Sequence, residues 1–159
     1  DAENNKFILI GESGIGKSLF TRILQLSLLS RGDGCAFIDA NLYVAEQGTT
    51  VRDLFLRFFS EEVDFDGFKS TVKEFIEGIW LSDVHSLSLG QRMRMNVIFY
   101  ISLGYRSLIL DEVLSTLALD NKILLLNFLK SVDLDLLIFV DHNISHLDLG
   151  LPIYQLKRK

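Results

Sequence analysis

Apolar residues along this chain fall into short blocks of two kinds, and the alternation of the two predicts its architecture. Phe7-Ile8-Leu9-Ile10 is a continuous apolar run of strand length, followed after a glycine-rich stretch by Leu19 to Leu29, where Leu and Ile recur without Gly or Pro as in a helix. Cys35 to Asp39 and Leu42 to Ala45 read as two short strands around a turn at Ala40-Asn41. Thr50 to Phe59 is helical, with Val51, Leu54, Phe55 and Phe58 on one side. After a turn at Asp64 to Gly67, Phe68 to Trp80 forms a second such helix, carrying Phe68, Val72, Phe75, Ile76 and Ile79. Ser88 to Leu103 is a long helix and Ser107 to Leu110 a buried strand ending in Asp111-Glu112. Asp120 to Val132 is a helix with Asp120 as its expected N-cap. Leu136 to Val140 and Ile153 to Leu156 are the last strands. Strand and helix in alternation predict a three-layer α/β domain with a mostly parallel sheet.

Composition narrows this picture. A chain of 159 residues is long enough for one domain with a real core, and 48% hydrophobic residues exclude disorder. The mean hydropathy of +0.28 implies apolar surface that something else covers. No apolar run is long enough to span a membrane. The polar opening Asp1 to Lys6 leads straight into a core strand, so no signal peptide is expected; the first residue is not Met, as in a piece of a longer polypeptide. The net charge of −5 argues against a nucleic-acid partner, which usually meets a basic face. The single cysteine, Cys35, lies in an apolar strand and is expected to be inert packing in a reducing compartment. Lys157-Arg158-Lys159 reads as a solvated tail, and His85 and His146 as solvent-facing.

Gly11-Glu12-Ser13-Gly14-Ile15-Gly16-Lys17-Ser18 fits G-x-x-x-x-G-K-[ST], the phosphate-binding P-loop. It sits between a predicted strand and a predicted helix, the context in which such a loop works. The backbone at Gly11, Ser13, Gly14 and Gly16 would converge with the helix N-terminus on a phosphate chain. Lys17 would reach the β- and γ-phosphates, and the Ser18 hydroxyl would ligate Mg²⁺. Leu108 to Leu110, ending in Asp111 and Glu112, adds two acids at a strand end. Asp111 is placed to hold Mg²⁺ and Glu112 to take a proton from an attacking water.

A third stretch, Leu87-Ser88-Leu89-Gly90-Gln91-Arg92-Met93-Arg94, completes a pattern. With the P-loop and the Asp-Glu strand it resembles the LSGGQ signature of ABC (ATP-binding cassette) ATPases. Tyr43-Val44-Ala45-Glu46-Gln47 followed by Thr50-Val51-Arg52-Asp53 is similar to that family's Q-loop and the segment after it. Leu117-Ala118-Leu119-Asp120 is similar to its D-loop, and Ile138-Phe139-Val140-Asp141-His142 to its switch-histidine strand. Five motifs in the family's order extend the resemblance over most of the chain.

The resemblance implies a P-loop NTPase sandwich of three layers, αβα. Residues 1–46 and 104–159 would form the core, and about 47–103 a small helical subdomain ending in the signature helix. It implies ATP and Mg²⁺ as ligands, ATP hydrolysis with Glu112 as general base, and Gln47, with Ser18 and Asp111, near the metal. His142 would donate to the γ-phosphate. Ser88, Gly90 and Gln91 would reach the nucleotide of a second cassette, with Asp120 helping to join the halves. The partners implied are that second cassette, in a homo- or heterodimer, and a transmembrane transporter domain at the cytoplasmic face of a membrane. The phenylalanines between Gln47 and the signature include Phe55, Phe58, Phe59, Phe65, Phe68 and Phe75. Most should be core, and one or two exposed ones would suffice for docking.

The chain departs from the family pattern in four places. Leu89 replaces the usual Gly, the D-loop is lengthened, and Asp141 stands before the histidine, where its carboxylate would repel a γ-phosphate unless Mg²⁺ or a Lys intervenes. Only ten residues precede Gly11, so the family's antiparallel β-subdomain, with its adenine-stacking aromatic, is missing or lies outside this chain. Three other functions fit parts of the pattern. A DNA-maintenance ATPase of the same class would carry long coiled-coil arms, and no heptads separate Ser18 from Ser88. Against a catalytically weakened ATP-gated clamp stand Lys17, Glu112 and His142 together; for it stand the long D-loop, Asp141 and the β-subdomain not found ahead of Gly11. A small-molecule P-loop kinase has no reason to carry Ser88-Leu89-Gly90-Gln91.

Overall fold

The structure is a computed structural model that describes residues 5–39, 46–58, 75–142 and 150–157. Strands β1 (Lys6–Ile10), β2 (Cys35–Ile38), β3 (Ser107–Asp111), β4 (Leu136–Asp141) and β5 (Ile153–Gln155) form one sheet. Their order is β2-β3-β4-β1-β5, and every pairing is parallel. The central strands β3 and β4 are apolar on both faces, as parallel strands covered by helices must be. Edge strand β5 is exposed along its length. The first strand of the chain inserts between β4 and β5, and this placement builds the site. Ile10 pairs with Asp141 and Asp111 with Val140, so the segments leaving β1, β3 and β4 emerge side by side at one edge.

Helices α1 (Lys17–Ser30), α2 (Val51–Phe58), α3 (Leu89–Ser102), α4 (Val113–Thr116) and α5 (Leu119–Ser131) flank the sheet, giving the expected αβα sandwich. The main core joins one sheet face, including Ile8, Ile38, Leu110 and Phe139, to Phe55 of α2, Met93 and Val97 of α3 and Phe128 of α5. Phe75 stacks on Phe128 with ring centroids 4.4 Å apart. Each such fully buried ring contributes about 1.5–3 kcal/mol of transfer free energy. On the other face Leu9, Cys35, Ile109, Ile138 and Val140 meet Leu24 and Leu28 of α1. The outer side of α1 is apolar too: Leu19 is 65% exposed, and Ile23 and Leu26 continue the stripe. Among the described residues, part of the uncovered apolar surface expected from the hydropathy lies here.

Several boundaries differ from the sequence expectation. The α5 helix begins at Leu119 with Ala118 at its N-cap, so Asp120 lies in the first turn. There its charge complements the helix dipole instead of capping a backbone N–H. Phe75 and Ile76 are helical, residues 77–79 tighten into a 3₁₀ turn, and Trp80 is in a turn, packed edge-on to Phe55. The short α4 after Glu112 was not expected at all. At the far end of α5, Lys6 Nζ donates to the carbonyls of Leu129 and Val132 at 3.2 and 2.9 Å. A cation from β1 thus satisfies the last turn of a helix more than a hundred residues away. The expected strand 42–45, the turn 64–67, residues 68–74 of the expected second helix and His146 lie outside the described residues.

Candidate active site

The glycine-rich turn leaves β1 at Ile10 and enters α1 at Lys17. Gly14 and Gly16 take φ of 76° and 102°, a region costly for any residue with a Cβ, and this bends the backbone into a cradle. The helix it feeds starts with no side-chain cap and no acid in its first turn. A helix start leaves four backbone N–H groups without helical partners, so this one offers donors and a positive end to an anion. Ser13 and Ser18 are exposed on the same turn.

Lys17 is only 6% exposed and folds back over the loop. Its Nζ donates to Gly11 O at 2.5 Å and Glu12 O at 3.0 Å, and lies 3.1 Å from His142 Nδ1. His142 Nε2 in turn lies 2.5 Å from Glu112 Oε1. An ammonium only donates, so Nδ1 must accept and the ring proton sits on Nε2, donated to Glu112. The P-loop lysine, the strand-end acid and the histidine are thus linked in one chain across the ends of β1, β4 and β3. All three were singled out in the sequence, and the strand order explains why residues so far apart meet.

Glu112 has φ 54° and ψ 23°, the one non-glycine residue with positive φ among the described residues. This left-handed conformation costs about 1–2 kcal/mol and has to be held by its surroundings. Beside it, the Asp111 carboxyl is pushed up, first by burial and then by the charges of Glu112 and Asp39, with Lys17 and His142 opposing. Crowded acids at strand ends form a hard-oxygen environment whose repulsion a divalent cation would relieve. Asp111 and Ser18 therefore suit Mg²⁺ by donor chemistry. Among the described residues no cluster of three or more His, Cys, Asp or Glu stands ready to bind a metal alone.

Asp141 does not face the phosphate cradle as the sequence suggested. It is fully buried, and its Oδ2 accepts the Ser115 N–H at 2.8 Å while Oδ1 accepts the His142 N–H at 2.8 Å. Both carboxylate oxygens are thus engaged by backbone donors inside the fold, a placement that no sequence spacing reports.

The signature residues sit at the start of α3. Ser88 is its N-cap, with Oγ accepting the Gln91 N–H at 3.3 Å and Gln91 Oε1 accepting the Ser88 N–H at 2.9 Å, a reciprocal capping box. Gly90 is buried against α5, where a Cβ would stand 2.8 Å from Asn121 Nδ2. A side chain here would have to displace the Asn121 amide, so the glycine lets α3 and α5 approach closely at this point. Asp120 precedes Asn121 and is exposed. Gln47 is exposed on a turn whose Gly48 N–H donates to Asp83 Oδ2. Its reach toward the P-loop depends on residues 40–45, outside the described set. Cys35 is buried, which raises its thiol to about 11 and leaves it unreactive. A cavity of about 720 Å³ opens at the opposite end of the sheet beside Gly34, Tyr105 and Arg106, and none of the motif residues line it.

No protein-family model matches the sequence, and no curated protein matches it. Solved structures do match the fold. The protein cbiO1 from Clostridium perfringens, part of the ABC transporter complex cbiONQ, is 16% identical with a TM-score of 0.70. That likeness covers 96% of this chain and 73% of cbiO1. An ATP-binding cassette of an ABC transporter in its ADP conformation is 13% identical, with a TM-score of 0.67 over 96% of this chain and 76% of the other. A dimeric bacterial ABC transporter cassette is 17% identical, with a TM-score of 0.66 over 98% and 83%. The fold of this chain is that of an ABC-type ATP-binding cassette.

Proposed function

We propose that this chain binds and hydrolyses ATP as a cassette that closes against a second cassette and drives a membrane partner. The observation that carries the reading is the Lys17–His142–Glu112 chain beside an uncapped helix N-terminus. The P-loop backbone and α1 N-terminus would hold the phosphates, with Lys17 exchanging the carbonyls of Gly11 and Glu12 for phosphate oxygens. His142, released by Lys17, would turn its ring toward the γ-phosphate. Glu112, released by His142, would accept a proton from the attacking water. Mg²⁺, held by Ser18 and Asp111 with Gln47 nearby, would neutralise the charge developing on the phosphates.

Ser88 and the α3 N-terminus would reach the nucleotide of the second cassette, and Asp120, exposed on α5, would lie at the seam. Exposed Phe58 and Leu81, at 60% and 75%, are apolar side chains available to a membrane partner, whereas Phe55 and Phe75 are core. No helix among the described residues is long and apolar enough to cross a membrane, so in this reading the crossing belongs to that partner.

The test is Mg–ATP turnover and sizing of the chain beside Glu112→Gln. The variant should bind ATP, shift toward a dimer and lose most turnover, on the order of the 10²–10⁴-fold expected for a lost general base. Equal turnover by both removes Glu112 from the chemistry, and no ATP binding by the intact chain removes the reading.

A further inference from the structure

We infer that Asp141 is a positioning residue that holds Glu112 in its working conformation, an inference that rests on the ATPase reading of the same site. Three consecutive residues at the end of β4 grip the segment that follows β3. Val140 O accepts the Glu112 N–H at 2.8 Å, Asp141 Oδ2 accepts the Ser115 N–H at 2.8 Å, and His142 meets the Glu112 carboxylate. Ser115 Oγ also donates to Glu112 O at 3.2 Å, closing the turn on itself. The backbone between these grips holds Glu112 at φ 54°, a conformation that does not persist without support.

Val140 and His142 act on Glu112 directly, and Asp141 acts through α4. Ser115 N–H is the third backbone donor of that four-residue helix, and Glu112, at the N-cap position, makes no side-chain cap of its own. The missing cap is supplied from β4. A fully buried carboxylate is costly unless its oxygens are paired, and here each oxygen takes one backbone N–H. One of those donors lies on the base's own turn and the other on the switch histidine. Asp141 therefore ties the turn that carries Glu112 to the end of β4, while its contact with His142 joins neighbouring residues of that same strand end. When Lys17 and His142 leave for a phosphate, this clamp still holds the Glu112 backbone in place.

The experiment compares Asp141→Ala and Asp141→Asn with the unaltered chain, each checked for folding by its thermal transition. Asn keeps the side-chain shape and one carbonyl oxygen for the Ser115 N–H. With Mg–ATP, Asp141→Ala should lower kcat about tenfold with KM within about twofold, the pattern of a group acting on the reacting residue and not on phosphate binding. Asp141→Asn should recover most of that loss. In a Glu112→Gln background, Asp141→Ala should change residual turnover no further, because the residue it positions is gone. A rise in KM with unchanged kcat, or an equal kcat loss in the Gln background, overturns the proposal. If Asp141→Ala does not fold, Asp141→Asn decides alone: its smaller kcat loss must vanish in the Gln background.

If the unaltered chain turns over no ATP, the functional reading fails and the clamp is still tested without nucleotide. The ring ¹⁵N signals of His142 report its contact with Glu112. They should shift in Asp141→Ala and stay near their original positions in Asp141→Asn. An unshifted His142 signal in a folded Asp141→Ala variant overturns the clamp.

Discussion

Two helix N-termini of this chain are proposed to meet phosphate, and the fold treats them in opposite ways. The start of α1 has a left-handed glycine at its N-cap, no side-chain cap and no acid in its first turn. The start of α3 is closed by the Ser88–Gln91 capping box. An uncapped start keeps its backbone donors for a ligand at the expense of helix stability. A capped start is content without one. In the proposed cycle α1 belongs to the site at all times and α3 only when a second cassette closes, so the difference has a functional sense. A permanent site can stay open to solvent, whereas a half-site on a separating surface has to be stable alone.

The largest expected effect breaks the α1 side. Lys17→Ala should weaken binding of Mg–ATP, and equally of inorganic triphosphate, by about 100-fold or more, read by calorimetry. That loss corresponds to about 2.7 kcal/mol, in the range of hydrogen bonds to charged groups. Triphosphate carries no base, so it isolates the phosphate cradle from whatever contacts adenine. Retained triphosphate affinity in Lys17→Ala would mean that α1 does not hold phosphate, and the contrast between the two helices would lose its meaning.

A smaller effect concerns the acids that face the α1 start. The raised pKa of Asp111 means that the folded chain holds a proton the unfolded chain has lost. Its contribution to stability is therefore best in acid and declines as pH rises through the ordinary 3.8 and on through the folded value. Asp111→Asn should flatten that decline and raise the neutral-pH melting temperature of the nucleotide-free chain by a few degrees. The same variant should lose Mg²⁺-dependent turnover. A fall in melting temperature on substitution would show that Asp111 is satisfied without a cation.

These expectations also mark how much the sequence revealed. The P-loop and the Asp111-Glu112 strand end stood out in the sequence as residue types at fixed places relative to a strand, and His142 through the family resemblance; the fold brings the three together. The parallel sandwich was legible because its central strands are apolar on both faces and bounded by polar turns. The strand order was not, since no local pattern says that β1 lies between β4 and β5. What depended on that order also stayed hidden: Lys6 at the end of α5, the Asp141 clamp, and Gly90 pressed against Asn121. Asp141 shows the reason most clearly. Read through the resemblance it stood beside a phosphate, and only the fold shows its two oxygens taken up by the N–H groups of Ser115 and His142. Asp120 failed as a cap for a local reason, because the helix already starts at Leu119 and its N-cap is Ala118.

The smallest effect tests the α3 side, and it needs two substitutions because Ser88 serves two purposes. A hydroxyl accepts and donates at once, so capping by Ser88 Oγ leaves its proton for a phosphate oxygen of the second cassette. Ser88→Ala removes both roles, and its expected cost of about 1 kcal/mol cannot separate them. Ser88→Asp separates them. Aspartate caps a helix about as well as serine, so the melting temperature should hold to within about 0.5 kcal/mol of equivalent stability. Its carboxylate, however, would stand where the partner's γ-phosphate arrives. In a Glu112→Gln background, where ATP should favour the dimer, Ser88→Asp should weaken that dimer about tenfold, or roughly 1.4 kcal/mol. The comparison control is Gln91→Ala, which opens the capping box from its other side, costs a few tenths of a kcal/mol and leaves the Ser88 hydroxyl in place. A Ser88→Asp chain that dimerises with ATP as readily as its parent would reduce α3 to a capped helix, leaving α1 alone of the two as a phosphate-binding helix start.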